Sequence, residues 1–307
     1  MDLEAHRVEL TGYCYRMLGG PFEAEDAVQE AFVRAWRTFD PDRGSLRTWL
    51  YSIATNVCLD MLRSAQRRAL ATDLGPPAAA GTPLGVPLPA GAWVLPAPDA
   101  RVLPADELVV GRETVRLAFV AALQHLPPRQ RAVLILRDVL CWQASEVAAL
   151  LSTTVASVNS ALQRARATLA DREPAPLRPY DKALLERYAT AFERHDVEAL
   201  VALLHEDATM TMPPFPWWLR GRADIAVALS YPDSGCEHAR LVPTWANGGP
   251  AFGQYRRDDG GVLRPFALVL VEFSGERVVG STTYLGDHLF GIFDLPMSLP
   301  DPARTSG

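Results

Sequence analysis

Long apolar runs are missing from this 307-residue chain, and no stretch approaches the ~18 residues of a membrane-spanning helix. The opening residues, MDLEAHRVEL, are charged and lack the apolar centre of a secretion signal, so a cytoplasmic location is expected. Cysteine is scarce. Cys14, Cys58, Cys141 and Cys236 stand far apart with no CxxC pair, and the six histidines do not gather near them, which excludes a recognisable zinc site. Cys14 and Cys58 fall in apolar helical patterns and read as buried reduced thiols. No metal or cofactor is expected. Positive charge is also short, with 30 Lys and Arg against 36 Asp and Glu, which argues against a protein that holds nucleic acid by charge alone. The deficit is uneven. Residues 175–307 carry 12 basic and 17 acidic side chains, whereas residues 113–174 carry 7 and 5.

A second absence is local. No Asp or Glu occurs between Glu146 and Asp171. Within that window, TTVASVNSALQRARATLA places Val155, Val158, Leu162, Ala165 and Leu169 on one helical stripe. The remaining positions are Ser157, Asn159, Ser160, Gln163, Arg164 and Arg166. Ordinary surface helices gain from Glu–Lys pairs four residues apart, and this one has none. Amides, hydroxyls and guanidinium groups read base edges, whereas a carboxylate there would face phosphate charge. With ASEVAALL before it and a tight turn at 152–154, the stretch predicts a helix-turn-helix whose second helix enters the major groove. Two amphipathic helices of an ordinary bundle have the same spacing, so spacing alone leaves both readings open.

The rest of the chain divides by composition. Residues 1–70 predict an all-helical domain, with EAEDAVQEAFVRAWRTF presenting Ala27, Val28, Ala31, Phe32, Ala35 and Trp36 on one broad face. After a turn at 41–44, Ser45 is the expected cap of a second amphipathic helix. Residues 71–112 are rich in Pro, Gly and Ala and read as a linker, whose single large anchor, Trp93, is expected to dock in a groove. Residues 113–173 predict helices again: one over 113–125, then LPPRQRAVLILRDVL, then the helix pair. PAPLRP follows as a shorter linker. Residues 178–300 open with one amphipathic helix, YDKALLERYATAFERHDVEALVALL. They continue in strand-like runs, with FSGER as a turn between the last two, the pattern of an α+β domain. Residues 301–307 read as a tail.

These motifs carry a resemblance. HLPPRQRAVLILRDVLCWQASEVAALLSTTVASVNSALQRARATL resembles region 4 of extracytoplasmic-function sigma factors of the sigma-70 family, and EAEDAVQEAFVRAWRTFDPDRGSLRTWLYSIATNVCLDMLR resembles their region 2. RYATAFERHDVEALVALLHEDATMTMPP is similar to the start of a SnoaL-like domain of the nuclear-transport-factor-2-like fold, which some members carry at the C-terminus. WVLPAPD resembles a tryptophan-proline motif in the linker of these extended members. The implied fold is multidomain: two all-α sigma domains and a C-terminal α+β cone with an apolar cavity.

The resemblance implies promoter-specific transcription initiation, with core RNA polymerase and promoter DNA as partners, no membrane, and no enzymatic activity. Gln29 and Glu30, with Asp26 and Arg34 in the same segment, match polymerase-contacting positions, and Trp36 reads as core. Asn56 matches a reader of a flipped base in the minus-ten element, with Leu46 and Thr48 in the neighbouring loop. Trp49 and Tyr51 are stacking platforms or core. Arg63, Arg67 and Arg68 fit phosphate contacts. Asn159, Ser160, Gln163 and Arg164 match minus-thirty-five readers, and Thr153 and Thr154 offer hydroxyl and backbone N–H groups to a phosphate.

Three departures accompany the match. Ser152 and Cys141 stand where Gly is frequent, and Gln143 where Ser or Thr caps. Ser tolerates positive φ poorly, and Gln caps weakly. The C-terminal domain is expected to regulate the sigma domains by packing on them. The alternative is a ligand-sensing or catalytic protein fused to a DNA-binding unit. His205, Glu206, Asp207, Asp224, Asp287 and His288 are its polar candidates, and none is assigned a catalytic role. Trp93, Trp217 and Trp218 are the candidates for a regulatory or ligand pocket holding an unidentified small molecule. The rigid PPFPWWLRGR lines the cavity, docks on the sigma domains or linker, or fills core.

Overall fold

The computed structural model describes residues 2–38, 45–63, 65–104, 112–170, 172, 174, 176–231 and 239–300. The turn expected at 41–44, Cys236 and the 301–307 tail lie outside these residues. The chain forms two compact units, Met1–Leu70 with Gly91–Ala175, and Ala71–Ala90 with Pro176–Gly307. The stretch read as one linker is thus divided between them.

In the first unit, α1 (Arg7–Leu18), α2 (Pro21–Thr38) and α3 (Leu46–Met61) form a bundle. Ser45 caps α3 by accepting the Thr48 N–H at 3.2 Å. The expected stripe of α2 is buried through Ala35, but Trp36 is 75% exposed, which overturns its reading as core. The reason is angular. At 3.6 residues per turn Trp36 falls beyond the edge of the stripe defined by Ala24, Val28, Ala31 and Ala35. Cys14 and Cys58 are buried free thiols, and the neighbouring Cys58 together with burial holds Cys14 well above the usual thiol range.

The WVLPAPD segment lies along this bundle. Trp93 is 1% exposed. Ala69 N–H donates to Ala92 O at 2.9 Å, Leu95 N–H to Gly19 O at 2.9 Å, and the Tyr15 hydroxyl to Leu95 O at 2.8 Å. Trp93 therefore belongs to the core of the first unit, a structural anchor rather than a pocket residue. The short helix α4 (Asp99–Val102) then crosses α1 so closely that a Cβ at Gly12 would overlap the Val102 carbonyl oxygen.

The helix expected over 113–125 is broken into α5 (Arg112–Val115) and α6 (Leu117–Leu123) by extended backbone at Arg116. The break leaves the Thr114 carbonyl to accept from Arg16 Nε at 3.1 Å, while Arg16 Nη2 bonds the Thr114 hydroxyl at 2.7 Å. Next come α7 (Pro128–Leu134), a π turn over Ile135–Val139, α8 (Ala144–Leu150) and α9 (Val155–Leu169). Cys141 and Ser152 take φ of 57° and 50°, the left-handed backbone that suits Gly. The weak Gln143 cap is reinforced by Glu146, whose carboxylate accepts the Gln143 N–H at 2.7 Å.

The halves of this unit are joined through Arg131, which is 4% exposed. Its guanidinium bonds the Met17 carbonyl at the end of α1, the Gln124 side-chain oxygen at 2.5 Å, and the Gln124 and Leu126 carbonyls at 3.2 Å. A second joint is aromatic. Trp142 lies 5.0 Å from Tyr51, and Arg47 sits over both rings.

The second unit is an α+β domain with a six-stranded sheet of order β2-β1-β6-β5-β4-β3. Its strands are β1 (Leu204–Thr211), β2 (Trp218–Arg220), β3 (Arg240–Ala246), β4 (Gly249–Arg257), β5 (Leu263–Ser274) and β6 (Arg277–Leu285). Only the β1–β6 pair is parallel. The expected opening helix is split into α10 (Lys182–Glu193) and α11 (Val197–Leu203), because His195 turns at φ 52°. PPFPWWLRGR contributes strand β2, and α12 (Arg222–Leu229) follows it; neither was expected. Among the described residues no helix is long and apolar enough to cross a membrane, and no cluster could hold a metal ion.

Two stability changes follow. Ser152→Gly relieves a left-handed residue and should stabilise the protein by ~1 kcal/mol, read as a thermal midpoint raised by ~2–4 °C. Gly12→Ala should lower stability by ~1–3 kcal/mol in denaturant titration, because α1 must move away from the Val102 carbonyl.

Candidate nucleic-acid interface

Helix α9 buries Val158, Leu162, Ala165 and Leu169 and exposes Asn159, Ser160, Gln163 and Arg164 along its outer face. Thr154 caps it, accepting the Ser157 N–H at 3.1 Å, and Thr153 stands exposed beside it. First-turn N–H groups and a hydroxyl at a helix N-terminus make a phosphate seat. Arg166 is committed elsewhere, bonding Asp138 through two N–H groups at 2.8 and 2.7 Å. That pair removes the one guanidinium that points away from the outer face and leaves Arg164 without an ion pair among the described residues.

A second polar face runs along α3. Thr48 and Asn56 are exposed, Ser52 and Leu46 half-buried, and Arg63 exposed just past the helix end. Thr48, Ser52 and Asn56 stand four residues apart and so share one side of the helix. Asp60 lies on the same side, 3.3 Å from Arg63, which partly neutralises it. Arg67 is exposed and bonds His125 at 2.8 Å. Arg68 departs from the expectation. It is buried, donates to the Trp93 carbonyl at 2.8 Å and pairs with Glu23, so it holds the WVLPAPD segment and cannot reach a phosphate. Tyr51 is fully buried against Tyr13 and Trp142, which makes it core; Trp49 is half-buried with its indole N–H covered.

Helix α2 carries a third face. Asp26, Gln29, Glu30 and Arg34 are all exposed, the last two paired at 2.7 Å. Phe22, Asp26, Gln29, Val33 and Trp36 follow at steps of four and three and form one exposed stripe. Three of those five are large apolar side chains at 38, 39 and 75% exposure. Reading residue type alone missed this stripe, whereas the helical angle of Trp36 would have revealed it.

The second unit holds a cavity of about 540 Å³ lined by residues of the sheet and of α10, α11 and α12. Of the three expected pocket tryptophans only Trp217 lines it. Trp217 donates its indole N–H to the Thr82 carbonyl at 3.0 Å, and Trp218 donates to the Gly75 carbonyl at 3.0 Å. Ala78 N–H bonds Trp218 O and Leu88 N–H bonds Pro214 O, each at 2.8 Å. The Trp pair therefore fastens the first part of the former linker to this unit, and residues 81–84 of that segment line the cavity. His205, Glu206, Asp207, Asp224, Asp287 and His288 are not brought together. None of them lines the cavity, whose described wall carries no carboxylate or imidazole.

Comparison with known proteins matches this division. Residues 3–68 match the sigma-70 region 2 family, residues 116–169 the sigma-70 region 4 family, and residues 185–279 the SnoaL-like domain family. The chain is 45% identical over 309 residues to the ECF RNA polymerase sigma factor SigG of Mycobacterium tuberculosis, covering 96% of this chain and 83% of that protein. It is 31% identical over 217 residues to SigJ of the same organism, covering 68% of this chain and 63% of that one. The crystal structure of SigJ shares the fold, with a TM-score of 0.60 at 23% identity over 96% of this chain and 98% of that one. Two sigma domains and a SnoaL-like domain in this order, with that identity along nearly the whole chain, establish that it belongs to the extracytoplasmic-function RNA polymerase sigma factors.

Proposed function

We propose that this protein directs promoter-specific transcription initiation in the cytoplasm. In this reading the outer stripe of α2 binds core RNA polymerase through Asp26, Gln29, Glu30 and Arg34, joined by Val33 and Trp36. The face of α3 with Leu46, Thr48 and Asn56 captures the minus-ten element, and Arg63 and Arg67 hold its phosphates. Helix α9 reads the minus-thirty-five element through Asn159, Ser160, Gln163 and Arg164, with Thr153 and Thr154 on the adjoining phosphate. The observation that carries the reading is a pair of outward polar faces, α3 and α9, on two sigma domains of one chain. Base contacts specify and phosphate contacts position, and a chain of net charge −6 suits the first task when polymerase supplies the second.

The two elements are ~25 base pairs apart, or about 85 Å along B-DNA. A folded unit of about 155 residues has a radius of gyration near ~15 Å, too small to reach both. Engagement with promoter therefore requires the two halves to separate at the Arg131 and Tyr51–Trp142 joints. The SnoaL-like unit regulates this step through residues 71–90, which it holds by the Trp217 and Trp218 bonds and which lead directly into region 2 on one side and WVLPAPD on the other. A catalytic reading of that unit finds no acid–base pair among the described residues of its cavity wall.

Two measurements test the proposal. Transcription by core polymerase on promoters with both elements randomised should yield a two-part motif with the full-length protein. Gln163→Ala should relax the upstream part at one or two positions by ~10-fold while the downstream part keeps its sequence. Loss of both parts together, or of neither, contradicts the assignment of α9. Trp142→Ala, with fluorophores on α3 and α9, should lengthen the distance between them in the free protein and raise promoter-independent binding to polymerase. An unchanged distance means that the joint does not hold the halves together.

A further inference from the structure

The cavity of the C-terminal unit has a chemistry that its wall defines. Most of its lining is apolar: Tyr188 and Phe192 of α10, Met210 and Met212 on and beside β1, Trp217, and Leu229 of α12. Methionine walls adapt to flexible chains. At about 540 Å³ it lies within the ~300–1,000 Å³ of small-molecule sites. Polar groups are few, and besides Thr82 and the hydroxyls of Tyr188 and Tyr231 they come from the sheet. Gln254 and Arg256 alternate onto the cavity face of β4, and Ser281 and Thr283 do the same on β6. Arg256 is the single charged group of the described wall. Its guanidinium lies 4.6 Å from the Phe266 ring centroid and has no ion pair among the described residues. A bound molecule that covered this cation without neutralising it would leave a charge removed from water and unpaired, which is costly.

Part of the cavity wall is linker chain rather than sheet or helix. Residues 81–84 form part of its wall, held by the Trp217 bond to Thr82 O, and Leu84 packs on the hydrophobic core of the unit. An occupant thus touches the segment that joins this unit to the sigma domains.

We infer that the cavity is a binding site for an apolar carboxylic acid. Arg256 and the Gln254 amide take the carboxylate, the Met- and aromatic-lined body takes the hydrocarbon, and residues 81–84 close over it. This deepens the regulatory reading of the C-terminal unit and rests on that reading only for its effect on transcription. Occupancy stiffens residues 71–90, the stretch through which the proposed control of the sigma domains runs.

The test uses the full-length protein with hexadecanoate and, as its uncharged counterpart, hexadecan-1-ol. Calorimetry should find the acid bound at least ~10-fold more tightly than the alcohol, the difference a charged hydrogen bond supplies. Arg256→Gln should erase that preference while leaving the alcohol unaffected. Ala228→Trp, or Ser281→Phe from the opposite wall should the first variant misfold by circular dichroism, should abolish binding of both. Amide hydrogen exchange in peptides covering residues 78–88 should slow on addition of acid and stay unchanged in the filled variant. Trypsin cannot replace this readout, since residues 71–90 contain no Lys or Arg. Absence of binding, equal affinity for acid and alcohol, or binding that survives cavity filling overturns the site. Tight binding with unchanged exchange at 78–88 overturns the closing role of the segment. Transcription by core polymerase without any acid is measured beside these. Its failure would count against the sigma reading and not against the site.

Discussion

A guanidinium removed from water must find oxygen for its N–H groups, and the terminal nitrogens of Arg131 find it in both halves of the sigma unit at once. The Met17 carbonyl lies at the end of α1, where the helix presents its negative end and a cation is favoured. The Gln124 and Leu126 oxygens lie just before α7, next to Arg131 itself. Burial pushes the Arg131 pKa down to about 10, which still leaves it charged at neutral pH. Gln124 completes the arrangement by donating to the Val120 carbonyl at 2.9 Å and the Arg16 carbonyl at 3.4 Å. The two halves are therefore joined by polar satisfaction as well as apolar burial, and neither half can withdraw without exposing several carbonyls to a search for new partners.

Such a joint suits the opening proposed for the sigma unit. Apolar surface parted from apolar surface exposes area in proportion to the opening, whereas hydrogen bonds to backbone oxygen are replaced by water at modest net cost. Arg16 with Thr114, Arg67 with His125 and Arg47 over Trp142 share that character, since each rehydrates readily once apart. In the proposed reading, the polymerase then has only to offer its own surface to the α2 stripe, where Phe22, Val33 and Trp36 already stand in solvent.

Much of the fold was legible because its helices are amphipathic with clean stripes. Ser45 and Thr154 cap where the residues suggest, and the polar side chains of α9 proposed to read DNA are exposed as their spacing implies. What escaped sequence reading was set by tertiary demands. The breaks at Arg116 and His195 interrupt stretches that are amphipathic on both sides, so no periodicity marks them. Arg68 has the composition of a phosphate contact and is instead consumed by a carbonyl and Glu23. Cys14 and Cys58 are distant in sequence yet touch across α1 and α3. The cavity was foreseen only as a property of the fold, and its single cation was not. Arg256 looked like one of two adjacent arginines in a strand, and only the alternation of β4 separates it from Arg257, which is exposed.

The Trp217 and Trp218 bonds to residues 75 and 82 also bear on how such a protein is inherited. The C-terminal unit is sewn from two separate stretches of chain, and the polypeptide passes between the units at three points, after Leu70, after Ala90 and after Ala175. A gene fusion that appended a SnoaL-like domain behind region 4 would deliver only one of those stretches. The Gly75–Leu84 neighbourhood would then have to acquire its fit to the tryptophans separately. Recombination that exchanges tails between relatives would part the two, leaving an open wall in the incoming domain and an unmoored loop in the recipient, so the interior segment and the tail are expected to change together or not at all.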